Sequence, residues 1–521
     1  MKSNKNKFII LWVDDEIGLL RSHIMFLEEK GYQIKTATNG VDALEIIKST
    51  YVSAVLLDEM MDGLNGLTVL KKIKALRPAL PVIMITKNEE ESLMENAIGQ
   101  KISDYLTKPI NPSQILLSLK KNLESRNITR ATQAQNYMQY FTKLSQDINM
   151  GIISLKKWVN IHKKMIEWEM EFDDNPQYDL QNILSEQKQS ANEEFQKLVL
   201  NNYKNWVNGN ADIPMSPDIL NTFLKPLLEN DKKVLFVVID CMRYDQWSFI
   251  EPLLYDTFDI ELHSHLSILP TATPYSRNAI FAGDFPDKIN KIYPDIYANP
   301  EIDESMNSKE KQLLNRYLQK VHLNIKNGIK YIKINNAEFG KQIYSKFSDY
   351  NNNLIAMVIN FVDMLTHKRS KSDILQEIIP DEASYRSVVK NWFKHSYIKK
   401  IFEKAAGLGF TIVVTTDHGS TNVEEGTIIK ADKTTSDNVR FKVGRNLKID
   451  NKTALLVKNP SDFKLPLTRV ANNFVFAKDN YFFLYPNNYR KYKSLYKSTF
   501  QHGGISMDEM LLPVAILNQR K

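Results

Sequence analysis

Residues 411–419 read TIVVTTDHG, an apolar run that leads directly into an aspartate, a histidine and a glycine. A short apolar run of this kind predicts a buried strand of a parallel sheet. Two other apolar runs end in the same way, since Val234–Ile239 is followed by Asp240 and the run 354–362 by Asp363. Ligands of open α/β sheets bind at the carboxyl ends of the strands. The C-terminal part of the chain is therefore predicted to be a parallel α/β domain with an acidic site at one sheet edge.

The composition is that of a globular protein with more than one domain. The chain has 521 residues, 43% of them hydrophobic and 25% charged, which is enough for two or three domains. Its net charge of +7 does not by itself indicate nucleic-acid binding. One cysteine, Cys241, excludes an internal disulfide and fits a reducing compartment. No apolar run approaches the roughly 20 residues of a membrane span, and we expect a cytoplasmic protein without membrane insertion.

The first part of the chain, to about residue 125, alternates short apolar strands with helical patterns. Strands are predicted at 8–13, 53–57, 81–85 and 102–106, and helices at 18–30, 67–76 and 112–123. This alternation is typical of a doubly wound parallel sheet.

Polar residues again follow these strands, namely Asp14, Asp15, Asp58, Thr86 and Lys108. Three converging carboxylates repel one another unless a hard cation is bound, and oxygen ligands alone suit Mg²⁺. Asp58 is expected to be the nucleophile that forms an aspartyl phosphate, with Lys108 and Thr86 contacting the phosphate oxygens. Asp14 or Asp15 alone could be a loop or cap residue, but the ordered set favours a site.

The motifs VDDE (13–16), LLDEMMDGLNG (56–66), MIT (84–86) and DYLTKP (104–109) resemble response-regulator receivers. The resemblance implies a flavodoxin-like fold for residues 1–125 and a sensor histidine kinase as phosphodonor. It also implies that Tyr105 is the switch aromatic and that the Lys108–Pro109 peptide is cis. The face after the fourth strand is implied to form a homodimer on phosphorylation.

Residues 126–215 are polar and carry apolar residues at helical spacing, such as Tyr137, Phe141 and Leu144, which predicts a helical-bundle connector. A turn is predicted at 173–176, which reads DDNP. The connector could be a transmission element or dimer surface, or a passive spacer.

The C-terminal segment, 216–521, contains six candidate metal ligands: Asp240, Asp363, His367, Asp417, His418 and His502. Mixed Asp and His ligands suit Zn²⁺, with Mn²⁺ second. Six ligands are enough for two metals, which can clamp the attacking and leaving oxygens of a phosphoryl displacement. Asp363 and His367 share a face if a helix starts there.

A nucleophile is predicted in LPTATPYSR (269–277), just before a helix that runs to Gly283. Thr271 and Thr273 are both candidates, because the helix dipole and a metal would each favour an alkoxide at its N-terminus. Arg277 could contact a phosphate oxygen.

The motifs VVIDCMRYD (237–245), FVDMLTH (361–367), TTDHGS (415–420) and QHGGISMDEMLLPV (501–514), together with LPTATPYSR, resemble the PglZ branch of the alkaline phosphatase superfamily. The resemblance implies one zinc held by Asp240, Asp417, His418 and the threonine, and a second held by Asp363, His367 and His502. In the superfamily's phosphodiesterases a glycine closes the helix ten positions after the nucleophile. Gly283 is ten positions after Thr273, which favours Thr273.

Two other features have less specific interpretations. His263 and His265 alternate on a strand-like segment and are interpreted as structural. The basic stretch Lys433–Arg445 is interpreted as a solvated loop, with a substrate lid as the alternative.

A receiver joined through helices to such a domain resembles regulators of type IX secretion and gliding in Bacteroidetes. This implies a sigma factor as a candidate partner and phosphodiesterase activity on cyclic or linear oligonucleotides. We therefore expect phosphorylation of Asp58 to control dimerisation and a zinc-dependent phosphodiesterase, although the residues alone do not choose monoesters or diesters. The alternative is a non-catalytic regulator that signals through partner binding. A threonine nucleophile beside a full ligand set favours the enzyme.

Overall fold

Residues 8–61, 64–78, 80–87, 102–151, 154–297, 307–370, 372–430, 438–467, 473–487 and 489–520 are described by the computed structural model. The chain divides into two units, Met1–Gln139 and Tyr140–Lys521, and each is described by itself. Among the described helices, none is both long and apolar enough to cross a membrane.

The first unit is built around five parallel strands in the order β2-β1-β3-β4-β5. The strands are β1 (Ile9–Val13), β2 (Gln33–Ala37), β3 (Ala54–Asp58), β4 (Val82–Thr86) and β5 (Asp104–Thr107). The helices are α1 (Arg21–Glu29), α2 (Gly40–Ser49), α3 (Gly66–Leu76), α4 (Pro112–Leu119) and α5 (Ser125–Asn149), the last of which spans the division between the units. The predicted doubly wound parallel sheet is confirmed.

Asparagines begin three of these helices. The side chain of Asn39 accepts hydrogen bonds from the backbone at the start of α2, and Asn65 does the same for α3. Asn111 forms a capping box with Gln114 at the start of α4. Such caps satisfy amide groups that a helix start leaves without a partner. They therefore fix where each helix leaves the sheet edge that carries Asp14 and Asp58.

The second unit begins with the end of α5 and two long helices, α6 (Leu155–Asp174) and α7 (Tyr178–Asn205). The end of α6 at Asp174 matches the turn predicted at 173–176. Ser154 and Asp212 cap α6, since Asp212 accepts from the Leu155 amide at 3.0 Å and from the Ser154 hydroxyl at 2.6 Å.

A six-stranded sheet forms the centre of the second unit, in the order β7-β18-β10-β6-β9-β8. Its strands are β6 (Lys233–Ile239), β7 (Phe258–Leu266), β8 (Ile329–Ile334), β9 (Leu354–Ile359), β10 (Phe410–Thr415) and β18 (Leu511–Gln519). β10, β6, β9 and β8 are parallel, but β18 pairs antiparallel with both β10 and β7. The predicted parallel direction holds for five of the six strands, but the sheet is mixed, because β18 alone runs against the others; β7 is antiparallel to β18 and therefore runs in the same direction as β10.

Helices and three small sheets surround this sheet. The helices are α8 (Lys225–Glu229), α9 (Tyr244–Ile250), α10 (Thr273–Ala282), α11 (Pro286–Ile292), α12 (Glu310–Lys320), α13 (Ala337–Lys346), α14 (Phe361–Arg369), α15 (Asp373–Ile378), α16 (Glu382–His395), α17 (Tyr397–Gly407), α18 (Tyr489–Tyr496) and α19 (Met507–Met510). The further strands are β11 (Thr421–Val423), β12 (Glu425–Ile428), β13 (Phe441–Gly444), β14 (Ala454–Val457), β15 (Asn473–Ala477), β16 (Tyr481–Leu484) and β17 (Thr499–Gln501). They pair as β11-β17, β12-β16 and β13-β15-β14.

An ion-pair network joins the connector helices to this domain within the second unit. Lys188 of α7 lies 2.9 Å from Glu169 of α6 and 3.2 Å from Asp508 of α19. Burial by itself lowers the pKa of Lys188, but Asp508 and Glu169 more than offset this, so that the pKa lies above its usual value. Arg386 of α16 pairs with Asp173 of α6 at 2.8 Å. The helices are thus held to the domain by charges that are largely withdrawn from water.

Replacing Lys188 by methionine should lower the free energy of unfolding by about 3 kcal/mol, because it leaves two mostly buried carboxylates without their cation. Urea unfolding followed by tryptophan fluorescence measures the effect. The matched control is Lys164→Met, which breaks the exposed Lys164–Glu167 pair and should cost less than about 1 kcal/mol. Equal losses in the two variants would contradict a stabilising role for this network.

Candidate functional site: a phospho-acceptor aspartate and a two-group metal centre

The five predicted receiver residues lie at the carboxyl edge of the first sheet. Asp14, Asp15 and Asp58 offer ligand oxygens within 4.8 Å of one another. Lys108 Nζ lies 3.0 Å from Asp14 Oδ2 and 3.0 Å from Asp58 Oδ2, and the Lys108–Pro109 peptide is cis, as the receiver resemblance implies. Burial raises the pKa of Asp58, and Lys108 offsets only part of this shift. This oxygen-only set fits a hard cation such as Mg²⁺.

Thr86 has a partner that the sequence does not indicate. Its hydroxyl donates to the carboxylate of Glu59, the residue after Asp58. A phosphate on Asp58 would therefore compete with Glu59 for this hydroxyl. Tyr105 is partly buried against the core of the same unit. The face after β4 that is expected to dimerise, residues 88–101, lies outside the described residues.

Two adjacent parallel strands bring the first C-terminal group together. β6 lies between β10 and β9, so Asp240 and the Asp417-His418 pair leave neighbouring strands at the same edge. Asp240, Asp417 and His418 are buried and offer ligand atoms within 4.8 Å of one another. Asp417 Oδ1 accepts from the amides of Cys241 and His418 at 3.2 and 3.0 Å, whereas Oδ2 has no hydrogen-bond partner among the described residues.

The tautomer of His418 follows from its surroundings. Its Nδ1 lies 3.1 Å from the carbonyl oxygen of Gly419, to which it must donate. In the neutral ring the lone pair is then on Nε2, which lies 3.8 Å from carboxylate oxygens of both Asp240 and Asp417. An imidazole oriented by a backbone carbonyl in this way is typical of metal ligands.

The second group is Asp363, His367 and His502. Asp363 and His367 lie one turn apart on α14, which confirms the predicted helix. The Nε2 atoms of His367 and His502 are 3.3 Å apart, and they lie 3.3 and 3.7 Å from Asp363 Oδ1. The His502 ring also stacks on His418 with centroids 4.3 Å apart, so the two groups adjoin. The His367 side chain is 53% exposed, which opens this side of the site to solvent.

The charges of these side chains fit bound divalent cations. Burial raises the pKa of Asp240, and Asp417 and Asp363 raise it further, although Arg277 offsets part of the shift. Burial lowers the pKa of His502 far below its usual value, and His418 and His367 add to this. Imidazoles and crowded carboxylates are the donor set that binds zinc. Within the part of the chain that the structure describes, Asp363 Oδ1 and Asp417 Oδ2 are buried and have no hydrogen-bond partner.

The two candidate threonines lie in different surroundings. Thr273 is the first residue of α10, and its Oγ1 lies 3.0 Å from His418 Nε2 and 3.2 Å from Asp240 Oδ1. Thr271 Oγ1 instead donates to the Gly504 carbonyl at 2.9 Å and accepts from the Gly503 amide at 3.1 Å. Gly283 ends α10 in the left-handed conformation, with φ of 56°.

Arg277 does not point to an open phosphate position. Its side chain is 1% exposed, with Nη1 2.5 Å from Asp240 Oδ2 and Nε 2.5 Å from Glu310 Oε1. This geometry contradicts the expected contact between Arg277 and a phosphate oxygen, because the guanidinium already pairs with two buried carboxylates. Glu310 lies 33 residues further along the chain, and nothing near Arg277 in the sequence indicates it.

The residues around His502 also differ from expectation. Arg440 belongs to the stretch interpreted as a solvated loop, yet it is fully buried and pairs with Glu509 at 2.5 Å. Glu509 Oε1 in turn accepts from the Gly504 amide at 2.8 Å, so this pair supports the loop that carries His502. The lid alternative began at Lys433, which lies outside the described residues.

Two positions fix the backbone at Asp417. His265 Nε2 lies 3.1 Å from the Thr416 carbonyl, and burial lowers the pKa of His265 to about 4, in keeping with its structural interpretation. A Cβ at Gly419 would lie 1.9 Å from the Asp508 carbonyl oxygen. Glycine is therefore required where the metal motif meets α19.

Residues 219–517 match the family described as BREX system PglZ alkaline phosphatase-like domain, which is more than half of the chain. The chain belongs to the PglZ family. Residues 10–120 match the response regulator receiver domain, and residues 127–207 match the PorX response regulator linker domain. Receiver, linker and PglZ domain together make the chain a PorX-type response regulator.

Curated relatives match only part of the chain. The alginate biosynthesis transcriptional regulatory protein AlgB of Pseudomonas syringae is 31% identical over 132 residues, 25% of this chain and 30% of that protein. The transcriptional regulatory protein SrrA of Staphylococcus aureus is 31% identical over 126 residues, 24% of this chain and 52% of that protein. The chain thus spans between 30% and 52% of the length of these relatives.

Among solved structures, a CheY-like receiver domain protein from Methanospirillum hungatei is 28% identical, covers 23% of this chain and 95% of its own, and has a TM-score of 0.22. The receiver domain of NtrX from Brucella abortus is 31% identical, with coverages of 22% and 98% and a TM-score of 0.21.

Replacing Glu59 by alanine should speed phosphorylation of Asp58 by acetyl phosphate and Mg²⁺ roughly 2- to 10-fold, because it frees the Thr86 hydroxyl from a competing acceptor. Intact-mass spectrometry of quenched samples measures the rate. Glu16→Ala is the control, since it removes an equal charge from an exposed side chain near the same strand end. If Glu59→Ala and Glu16→Ala react at one rate, competition for Thr86 is not limiting.

Proposed function

We propose that the chain is a response regulator whose PglZ domain is a zinc-dependent phosphodiesterase that acts on linear or cyclic oligonucleotides. The observation that carries the proposal is the position of Thr273, whose hydroxyl oxygen lies within 3.2 Å of both His418 and Asp240. A module that used metal only to hold its fold would gain nothing from a hydroxyl there. Thr271, which is occupied by backbone hydrogen bonds, is the less suitable nucleophile.

Asp240, Thr273, Asp417 and His418 would hold one Zn²⁺, and Asp363, His367 and His502 the other. Bound zinc would lower the pKa of the threonine hydroxyl and stabilise negative charge on phosphate oxygens. Arg277 has a positioning role in this proposal, since it holds Asp240 against the threonine while Glu310 holds Arg277.

The reaction proceeds by double displacement at phosphorus. The Thr273 oxygen attacks the phosphodiester, the bond from phosphorus to the leaving oxygen breaks, and a phosphothreonine ester forms. The Thr273 hydroxyl donates to Asp240 Oδ1 at 3.2 Å. The proton that it loses on attack passes to solvent water, and the departing oxygen takes a proton from water in turn. Water then cleaves the phosphothreonine ester and restores the hydroxyl. The exposed side of the site at His367 gives the substrate its way in.

Receiver phosphorylation is proposed to regulate this site. A sensor histidine kinase would supply the phosphate, and Mg²⁺ would bind at Asp14, Asp15 and Asp58. The switch residues, whose contacts would change when Asp58 is phosphorylated, are Thr86, Tyr105 and Lys108. The proposal includes a homodimer that forms when Asp58 is phosphorylated. The proposed domain limits are 1–125, 126–215 and 216–521. The match to a PorX linker domain supports a proposed role in type IX secretion and gliding. The proposed partner is a sigma factor, and the proposed location is the cytoplasm.

Contacts of the connector favour transmission over a passive spacer. The Tyr203 hydroxyl of α7 accepts from the Leu269 amide at 2.7 Å, two residues before Thr271. Asn192 of the same helix accepts from the Met507 amide at 2.9 Å. One helix therefore contacts both the nucleophile loop and the segment that follows His502.

Thr273→Val should lower hydrolysis of a chromogenic bis-aryl phosphate by the zinc-loaded protein by a factor of roughly 10³ or more, because it removes the attacking oxygen. Thr271→Val is the matched variant. It should lose about 1–3 kcal/mol of stability from unsatisfied backbone groups and keep most of its activity. Circular dichroism and zinc analysis verify that both proteins are folded and loaded.

An inert wild type would favour the non-catalytic regulator, in which the metals stabilise a module for partner binding. Equal hydrolysis by wild type and Thr273→Val would exclude the proposed nucleophile. A folded, loaded and inactive Thr271→Val beside an active Thr273→Val would assign the reaction to Thr271.

Asp58→Ala should abolish the shift from monomer to dimer that acetyl phosphate and Mg²⁺ produce in the wild type, because the acceptor carboxylate is gone. Sedimentation velocity before and after treatment measures the shift. A dimer that forms identically in the variant removes the receiver from control of assembly.

A further inference from the structure

A second surface feature adjoins the metal centre on its solvent-exposed side. It is a groove of about 540 Å³ whose lining includes Arg369, Ser370, Lys491, Lys497 and Thr499; we call it the basic groove. Its volume is in the range of small-ligand sites.

The groove begins where the metal centre opens. The Ser370 hydroxyl donates to the His367 carbonyl at 2.9 Å, and His367 is the exposed member of its ligand group. Thr499 begins β17, the strand that leads to His502. Arg369 donates to the Ser498 carbonyl at 2.7 Å and so holds α14 and β17 together at the groove. The groove is therefore lined by residues close in sequence to His367 and His502.

The charge of the groove is uniformly positive. Residues 481–500 contain four cations, Arg490, Lys491, Lys493 and Lys497, and no acid. Lys491, Ser494 and Leu495 present one face of α18 to the groove. Among the described residues, the one carboxylate paired with these cations is Glu424, 3.9 Å from Lys497, and both side chains are solvent-exposed. An ion pair between two exposed side chains at this distance is weak.

A contrasting cavity lies between the connector helices and the PglZ domain. It measures about 560 Å³, and seven carboxylates and two cations line it. A polyanion is repelled there and attracted to the basic groove. The two surfaces adjoin, since Pro380 and Ser498 line both, and Glu424, which pairs with Lys497, belongs to the cavity.

Aromatic and hydroxyl groups accompany the cations. Tyr492, next to Lys491 on α18 but outside the groove lining, is 38% exposed and lies over Tyr496, with ring centroids 6.3 Å apart. Exposed rings beside cations are the pattern by which proteins bind single-stranded nucleic acids, through stacking and backbone contacts. The Ser494 hydroxyl adds a hydrogen-bond donor for phosphate oxygens, whereas those of Ser370 and Thr499 already donate to backbone carbonyls.

We propose that the basic groove binds the anionic backbone of an oligonucleotide beyond the phosphate held at the metal centre, with Lys491 and Lys497 contacting phosphates and Tyr492 stacking on a base. The inference rests on the proposed function for its substrate class, but the binding step is separate from hydrolysis. A substrate of two nucleotides fills the metal centre alone, and a longer strand also occupies the groove.

The double variant Lys491→Gln, Lys497→Gln tests the groove. For a labelled single-stranded 10-mer we expect about a tenfold rise in KM and in the Kd measured by fluorescence anisotropy. The salt slope of log Kd should fall by about 0.7 for each lost phosphate contact. Hydrolysis of the bis-aryl phosphate should be unchanged, because that substrate does not reach the groove. Lys288→Gln, Lys320→Gln is the control, since it removes two exposed cations that pair with Asp284 elsewhere on the domain.

Two results would overturn the inference. One is that the groove variant and the control variant bind the 10-mer with the same Kd and salt slope. The other is that an acidic peptide of equal charge competes as well as an unlabelled 10-mer, which would mean that the groove recognises charge alone. A wild type that binds the 10-mer through these lysines but hydrolyses neither substrate would support the groove and refute the proposed activity.

Discussion

Buried carboxylates at the ends of β6, β9 and β10 are the constraint on which the second unit depends. Asp240 and Asp417 leave adjacent parallel strands, so the fold forces like charges together in a place that excludes water. One guanidinium, that of Arg277, lies between Asp240 and Glu310 and cannot neutralise the whole set. The histidines arrive from α14, from the end of β10 and from the segment after β17, and all present neutral nitrogens to the same point. Bound divalent cations would neutralise the negative charge that remains.

This constraint extends to the connector helices. Asp508 abuts Gly419 through its backbone, and its carboxylate pairs with Lys188 of α7. Movement of α7 would change the position of Asp508, and with it the turn that carries His418. Tyr203, on the same helix, fixes the loop before the threonines. The linker is therefore packed into the PglZ domain, and a displacement of α7 has two direct routes to the candidate metal ligands.

The sequence predicts those parts of the fold and site that depend on local pattern. Apolar runs that end in Asp58, Asp240 or Asp417 identify buried strands and the edge where their acids meet, because strand and ligand lie within a few residues. It does not predict the antiparallel insertion of β18, since β7 and β18 are separated by more than 240 residues. The same limit applies to Arg277 and Arg440. The local sequence of each suggests an accessible cation, but both are buried in the folded chain. Arg277 pairs there with Glu310 and Arg440 with Glu509, and both glutamates come from distant segments. In the sequence the preference for Thr273 over Thr271 rests only on its spacing to Gly283, whereas the fold adds that His418 and Asp240 lie beside Thr273 and backbone groups beside Thr271.

The charge distribution shows why composition is a weak guide to binding. A net charge of +7 in 521 residues is too small to indicate a polyanionic partner. The folded chain, however, gathers seven carboxylates around one cavity, whereas the segment 481–500 contains four cations and no acid. Electrostatic attraction falls off within a Debye length of about 10 Å at moderate ionic strength, so an approaching phosphate responds to the nearest cations and hardly to the sum over the molecule. The local charge of each surface is therefore a better guide to binding than the overall charge balance.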